Sequence, residues 1–372
     1  MVLLIGNYAP DRQQSMLRFN TMMLEGLKAA GVEAELVRPR PFFGKLRLGA
    51  VTKWLAYLDK YLVFPRQLKK HLALVRPSLV HILDHSNAVY TSNAKPLPVL
   101  VTCHDLLAVR GALGEETDCP ASTTGKILQR WILNGLQKAD ALVCVSKATC
   151  DDAARLLDAP RPQTSVVPLG LNYPFRKLPT DDARERLASF PQLDLARPFV
   201  LHVGSALKRK NREGVLRIFA RTKDQWNGQL VFAGDPMTAE MHSLGKELGI
   251  SDRVVEIVVP DSPVLEALYS LATALLFPSR YEGFGWPIAE AQACGCPVIC
   301  SDHPPMSEAA GEAGLLHPVN DEEGFARDII RLTNGSEHAG WSEKSLQAST
   351  RSAPEKMIAQ YLAIYRTLAP QL

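Results

Sequence analysis

The sequence predicts an α/β protein built from two doubly wound parallel sheets, and three observations carry that prediction. Short apolar, β-rich runs alternate with helix-length segments, the pattern of βαβ units. The runs fall into two groups: Val2–Ile5, Leu79–Leu83, Val99–Cys103, Leu142–Val145 and Ser165–Val167, then Phe199–Val203, Leu230–Ala233, Val254–Val259, Ala274–Phe277 and Val298–Cys300. A length of 372 residues is ample for two domains, at about 100–200 residues each.

Between the groups, residues 173–197 carry Pro174, Pro179 and Pro191 among many polar residues, a composition that reads as an interdomain connection. The expected domains are therefore 1–172 and 198–352. Residues 353–372 place Met357, Ile358, Tyr361, Leu362, Tyr365 and Leu368 at helical spacing, which predicts an amphipathic terminal helix.

Composition narrows the function classes. Hydrophobic residues make up 46% and charged residues 22%, ordinary for a folded globular protein and unlike a disordered or fibrous one. No apolar run reaches the roughly 20 residues that span a bilayer, and Val2–Ile5 reads as a core strand rather than as a secretory signal, so the cytoplasm is the expected location. Seven scattered cysteines suit a reducing compartment rather than a disulfide framework. Cys294, Cys296 and Cys300 lack the paired spacing of a zinc site and read as small buried hydrophobes. A net charge of +3 does not imply a nucleic-acid partner.

Ligands of open α/β sheets bind outside the carboxyl ends of the strands. If two such domains face each other, the loops after Ile5, Cys103, Val203 and Phe277 wall one cleft. The last of these loops holds Ser279-Arg280-Tyr281-Glu282-Gly283-Phe284-Gly285-Trp286-Pro287, with Glu290 following. Proline suits a first helical turn, and the backbone amides of Gly283, Phe284 and Gly285 before a helix suit a phosphate. Glu282 in the loop and Glu290 in the first turns can each accept hydroxyl hydrogens of a sugar or ribose; alternatively, Glu290 only favours the helix dipole and Glu282 is solvated. After Val203, the run Gly204-Ser205-Ala206-Leu207-Lys208-Arg209-Lys210-Asn211 places three consecutive cations after a strand–glycine turn, where they suit the negative charge of a diphosphate. A solvated basic loop is the other reading.

These segments resemble the retaining glycosyltransferases of family 4, which have the GT-B fold of two Rossmann-like domains facing a central cleft. Glu282 and Glu290 match the family's pair of glutamates, Arg209-Lys210-Asn211 its phosphate loop, and Gly295-Cys296-Pro297-Val298-Ile299 its following strand. The resemblance implies that Glu282 contacts donor sugar hydroxyls, Gly283–Gly285 sugar and phosphate, and Glu290 the ribose. It makes Arg209 and Lys210 catalytic with Glu282, places Gly204 and Ser205 at the donor, and assigns His104, in Val101-Thr102-Cys103-His104-Asp105, a position near the donor sugar. A strand-end histidine bonded to a neighbouring loop is the alternative for His104. Ser205 stands where many relatives have arginine, and Gly6-Asn7-Tyr8 where many have a glycine pair.

The co-substrate implied is a nucleoside diphosphate sugar, GDP-mannose before a UDP-sugar, and the acceptor a saccharide or lipid-linked molecule of cell-surface glycan synthesis. No D-x-D sequence occurs, so no metal is expected: cations and a helix N-terminus take its place. No carboxylate nucleophile for double displacement is evident, and the resemblance implies same-face transfer. A non-catalytic sugar-nucleotide-binding subunit and an epimerase or hydrolase of the same fold are competing readings.

The N-terminal region carries a separate signal. From Leu36 to Arg76 there are ten cations against one acid, Asp59. Arg38, Arg40, Lys45, Arg47, Lys53, Lys69 and Lys70, with Trp54 and other aromatics between them, suit the acceptor or an anionic membrane surface. A basic solvated helix with its aromatics in the core is the alternative. Nothing in the sequence sets an oligomeric state.

Overall fold

The computed structural model describes residues 1–46 and 51–372, and in it the chain forms two units, Met1–Asn172 with Pro354–Leu372, and Tyr173–Ala353. The first holds β1 (Val2–Ile5), β2 (Ala34–Val37), β3 (Leu79–Ile82), β4 (Val99–Cys103), β5 (Ala141–Cys144) and β6 (Gln163–Val166), all parallel in the order β2-β1-β3-β4-β5-β6. Strands β1, β3, β4 and β5, apolar apart from His81 and Thr102, are fully buried, as strands covered on both faces are. Helix Gln14–Ala29 buries Phe19, Met23 and Leu27 at four-residue spacing. Phe64, Leu68 and Leu72 of helix Phe64–Val75 form a second apolar stripe against Leu3, Ile5, Val80 and Ile82.

The terminal helix, Pro354–Leu368, belongs to this first unit. Its Tyr365 hydroxyl lies 2.6 Å from His81 Nδ1, and its Tyr361 hydroxyl 2.9 Å from Thr102 Oγ1, which in turn lies 2.8 Å from His81 Nε2. Both imidazole nitrogens of a fully buried histidine are thereby satisfied, as burial of a polar ring demands.

The second unit holds β7 (Phe199–Gly204), β8 (Gln229–Gly234), β9 (Val254–Val258), β10 (Ala274–Phe277), β11 (Val298–Ser301) and β12 (Gly314–His317), in the order β12-β11-β10-β7-β8-β9. Strand order reverses between β7 and β10, and a ligand site is expected at that switch point. Phe219, Phe232, Leu276, Ile299 and Phe325 form the core on one face.

Two expectations are corrected. Two strands, β2 and β12, complete the predicted groups of five; both are edge strands. Glu35 interrupts the apolar run of the first, and neither is fully buried. Residues 173–197 are not a free connection. They pack within the second unit, where helix Thr180–Leu187 buries Ala183 and Leu187. The buried Glu266 carboxylate accepts from the Arg176 N–H at 3.0 Å and pairs with Arg186 at 2.7 Å. Pro179, which suggested a linker, stands at the N-cap of that helix. The reading of Cys294, Cys296 and Cys300 as hydrophobes agrees with their burial, which pushes the Cys296 thiol up to about 12.

Burial pushes the pKa of His81, and likewise that of His202 on β7, down to about 3. An unfolded chain binds these protons near pH 6.5, so each histidine contributes stability above that pH and loses it as pH falls toward 3, by about 1.4 kcal/mol per pH unit. Urea unfolding at pH 7.5 and 5.0 should show a lower midpoint at pH 5.0, and the drop should shrink in His81→Gln and His202→Gln. An undiminished drop in both variants would assign the acid sensitivity elsewhere.

Candidate active site

At the switch point of the second sheet, the loops after β7 and β10 are stitched together by backbone. After Gly204 the chain passes through Ser205 into a tight turn, Lys208–Lys210. Asn211 follows with φ 54 and ψ 39, a left-handed conformation that asparagine tolerates, and helix Arg212–Ala220 begins. The Asn211 side-chain N–H donates to Pro278 O at 3.1 Å, and the Arg280 N–H to Arg209 O at 2.7 Å. The Ala206 N–H donates to the Asp235 carboxylate at 2.8 Å, while Arg212 donates to the carbonyls of Asp235 and Pro236.

Within this frame Arg209 Nη1 lies 2.5 Å from Glu282 Oε2, and Lys210 Nζ 2.6 Å from Glu282 Oε1. The three side chains keep 21%, 11% and 7% of their surface exposed for Arg209, Lys210 and Glu282. Burial by itself would raise the Glu282 pKa; the charges of Lys210 and Arg209 outweigh it and hold the carboxyl below its ordinary value. Burial lowers that of Lys210, and Glu282 opposes the shift. Lys210 Nζ also sits 5.0 Å above the Phe277 ring, a favourable cation–aromatic contact. Of the three consecutive cations, Lys208 alone is exposed.

The segment Gly283-Phe284-Gly285 carries the chain from Glu282 into helix Trp286–Ala293, with Gly285 at the N-cap (φ 103) and Pro287 in the first turn. Glycine makes that backbone conformation free of strain. Glu290, on the same helix, is buried and accepts from the Tyr269 hydroxyl at 2.9 Å. The second unit thus gathers Gly204, Ser205, Arg209, Lys210, Glu282, Gly283, Phe284, Gly285 and Glu290 on two adjacent loops and one helix. Cations for an anion and carboxylates for hydroxyl groups lie together there.

His104 belongs to the first unit, at the end of β4. It is buried, its Nε2 bonds Leu83 O at 2.9 Å, and its ring meets Phe19 edge-on at 4.7 Å. Burial lowers its pKa. Beside it lies a cluster that the sequence reading passed over. Asp84 and His85, directly after the β3 run, form an ion pair at 3.1 Å. The Asn7 side-chain N–H donates to Asp84 and, at 3.0 Å, to Gln13 Oε1. Burial opposes the charge on both members, yet their attraction wins: Asp84 is held far below the usual carboxylate range and His85 above the usual imidazole one. The signal was present, because a polar Asp-His pair ends an apolar strand there much as His104-Asp105 does.

In the basic segment, Arg38, Arg40, Lys45, Lys53, Trp54, Lys69 and Lys70 are exposed, whereas Phe64 is buried and Tyr57 and Tyr61 are half-buried. The aromatics therefore divide between core and surface. Arg47 lies outside the described residues.

Two six-stranded doubly wound units, one with the 3-2-1-4-5-6 order and a cationic loop at its switch point, define the GT-B class of α/β proteins. Solved structures share the architecture. Sucrose-phosphate synthase from Thermosynechococcus elongatus superposes with a TM-score of 0.77 at 23% identity, covering 99% of this chain and 98% of that one. HepE from Anabaena in complex with UDP-glucose does so with a TM-score of 0.74 at 14% identity, covering 98% and 99%. The family described as "Glycosyltransferase Family 4" matches residues 18–173, and that described as "Glycosyl transferases group 1" matches residues 184–347. The chain belongs to the group 1, family 4 glycosyltransferases. The O-antigen chain mannosyltransferase B of Escherichia coli is 25% identical over 252 residues, a stretch that spans 65% of this chain and 65% of that relative.

Proposed function

We propose that this chain transfers a hexosyl group from a nucleoside diphosphate sugar to a saccharide or lipid-linked acceptor with retention of configuration. The observation that carries the reading is the convergence of Arg209 and Lys210 on Glu282 at the switch point of the second sheet. The two cations take the diphosphate, and Glu282 the hydroxyls of the donor sugar. The Gly283–Gly285 amides take sugar and phosphate, and Glu290 takes the ribose. The glycosyl C–O bond to the diphosphate breaks as the acceptor oxygen bonds the same face of the anomeric carbon; the acceptor's proton passes to the departing diphosphate. Arg209 and Lys210 stabilise the charge that develops on it, and no divalent cation is part of the step.

The mannosyltransferase name of the Escherichia coli relative supports GDP-mannose as the donor, and the UDP-glucose bound by HepE keeps a UDP-sugar as the second choice. Among the described residues no helix is long and apolar enough to cross a membrane; the proposal places the chain in the cytoplasm with its basic segment against the inner face. Thermal unfolding with GDP, UDP, ADP and CMP tests the reading, since a ligand of the native state adds RT ln(1 + [L]/Kd) to stability. One nucleoside diphosphate should stabilise the wild type and lose that effect in Glu290→Ala. Failure of all four with folded protein would refute a sugar-nucleotide site.

A further inference from the structure

After β2 the chain runs Arg38-Pro39-Arg40-Pro41. Proline fixes φ, and in an extended segment alternate residues point to the same side. Pro39 is buried while Arg38 and Arg40 are exposed, so the prolines hold a stiff strap that presents two guanidinium groups together. Among the described residues neither group has a hydrogen-bond or ion-pair partner. Both line a cavity of about 620 Å³ between this strap and helix Phe64–Val75, whose walls include Phe64, Gln67, Leu68 and His71. The carboxylate there, Glu35, is already engaged by His71 at 3.0 Å. The cavity is therefore left with two unpaired, planar cations, the donors suited to two-point recognition of phosphate oxygens.

The strap continues directly into an apolar ridge. Phe42, Leu46, Val51, Trp54, Leu58 and Leu62 are all at least 40% exposed, a concentration of large apolar surface that marks an interaction site. It is a built surface. The buried Asp59 carboxylate accepts from the N–H groups of Phe42, Phe43 and Gly44 at 3.0, 2.9 and 2.8 Å and from the Tyr8 hydroxyl at 3.0 Å. This clamp fixes the turn that carries Phe42 outward. Lys45 and Lys53 stand exposed along the same ridge.

We infer that the cavity receives the phosphate group of a membrane lipid, with Arg38 and Arg40 on the phosphate oxygens and the apolar ridge against the lipid chains. Charge complementarity at the cavity and the apolar surface that begins one residue after Pro41 together select a lipid-borne phosphate over a free one. This deepens the lipid-linked acceptor named above and rests on the transferase reading only for that word, acceptor.

Vesicle co-sedimentation tests it, with phosphatidylcholine alone and with phosphatidylcholine containing phosphatidylglycerol. The wild type should bind the anionic vesicles. Arg38→Ala/Arg40→Ala should weaken binding about 30-fold, on the scale of two surface cations lost, and Trp54→Ala should weaken it as well; Lys69→Ala/Lys70→Ala should cost no more than a few-fold. Equal losses in the two double variants would reduce the site to diffuse charge and overturn it. Complete competition by glycerol phosphate, with Trp54→Ala as tight as wild type, would assign the cavity to a free phosphate and overturn the lipid. Circular dichroism checks that the variants fold. The nucleotide panel is read on the same samples: vesicle binding as expected without any nucleotide stabilisation would leave the lipid site standing and refute the transferase.

Discussion

Glu282→Gln should bind GDP or UDP more tightly than the wild type while losing transfer. The two cations assigned to the diphosphate are held by the Glu282 carboxylate at 2.5 and 2.6 Å, so a diphosphate must compete with a buried carboxylate for both. Opposite charges this close, shielded from water, attract by several kcal/mol. The amide keeps the shape and some of the hydrogen bonding but not the charge. A roughly tenfold lower Kd, about 1.4 kcal/mol, is the expected gain. Transfer should fall about 100-fold, because the sugar hydroxyls lose their charged acceptor. Calorimetric titration and a turnover assay read the two effects separately. Nucleotide binding that is unchanged or weaker would show that the carboxylate does not compete with the ligand. Acid cannot replace the substitution, since the same cations keep Glu282 ionised below the ordinary carboxylate range.

Gly234→Ala should cost the most stability of any single methyl addition near the site. Gly234 has φ +140, where side-chain-bearing residues are strained, and a Cβ there would lie 2.2 Å from Gly204 O. That atom is backbone of β7, paired in register with Gly234 on β8. Neither strand can yield without opening the sheet at the point from which the Arg209–Lys210 loop departs. A loss of about 3 kcal/mol or more is expected, seen as a lower thermal midpoint for the second unit together with loss of nucleotide stabilisation. Gly335→Ala is the control, because a Cβ there meets nothing within 4 Å. Equal behaviour of the two variants would dismiss the steric argument.

The inner strands were legible because a strand covered on both faces is mostly apolar, and β1, β3, β4 and β5 are so apart from His81 and Thr102. The edges β2 and β12 were not, since a half-covered strand can carry Glu35 or end on His317. Arg209 and Lys210 stood out because charge after a strand–glycine junction has few structural uses, and Glu282 because a glycine-containing turn and a helix start follow it. Asp84 and His85 carried the same kind of mark, polar residues directly after an apolar strand, but a single Asp-His step without a neighbouring glycine turn resembles an ordinary strand end. The clamp on Phe42 was unreadable for another reason: Asp59 reaches it across 17 residues, and only tertiary structure brings the two together. Residues 173–197 misled because proline at a helix N-cap and proline in a linker look alike in one dimension.

The return of helix Pro354–Leu368 to the first unit has a consequence for synthesis. The 181 residues from Tyr173 to Ala353 leave the ribosome before Tyr361 and Tyr365 do, a wait of about 10–40 s at 5–20 residues per second. Throughout that interval His81 and Thr102 lack the hydroxyl partners that later bury them. The first unit, though made first, cannot be the first to finish folding. Any factor that guards a nascent chain would meet it with that face of its sheet still uncovered.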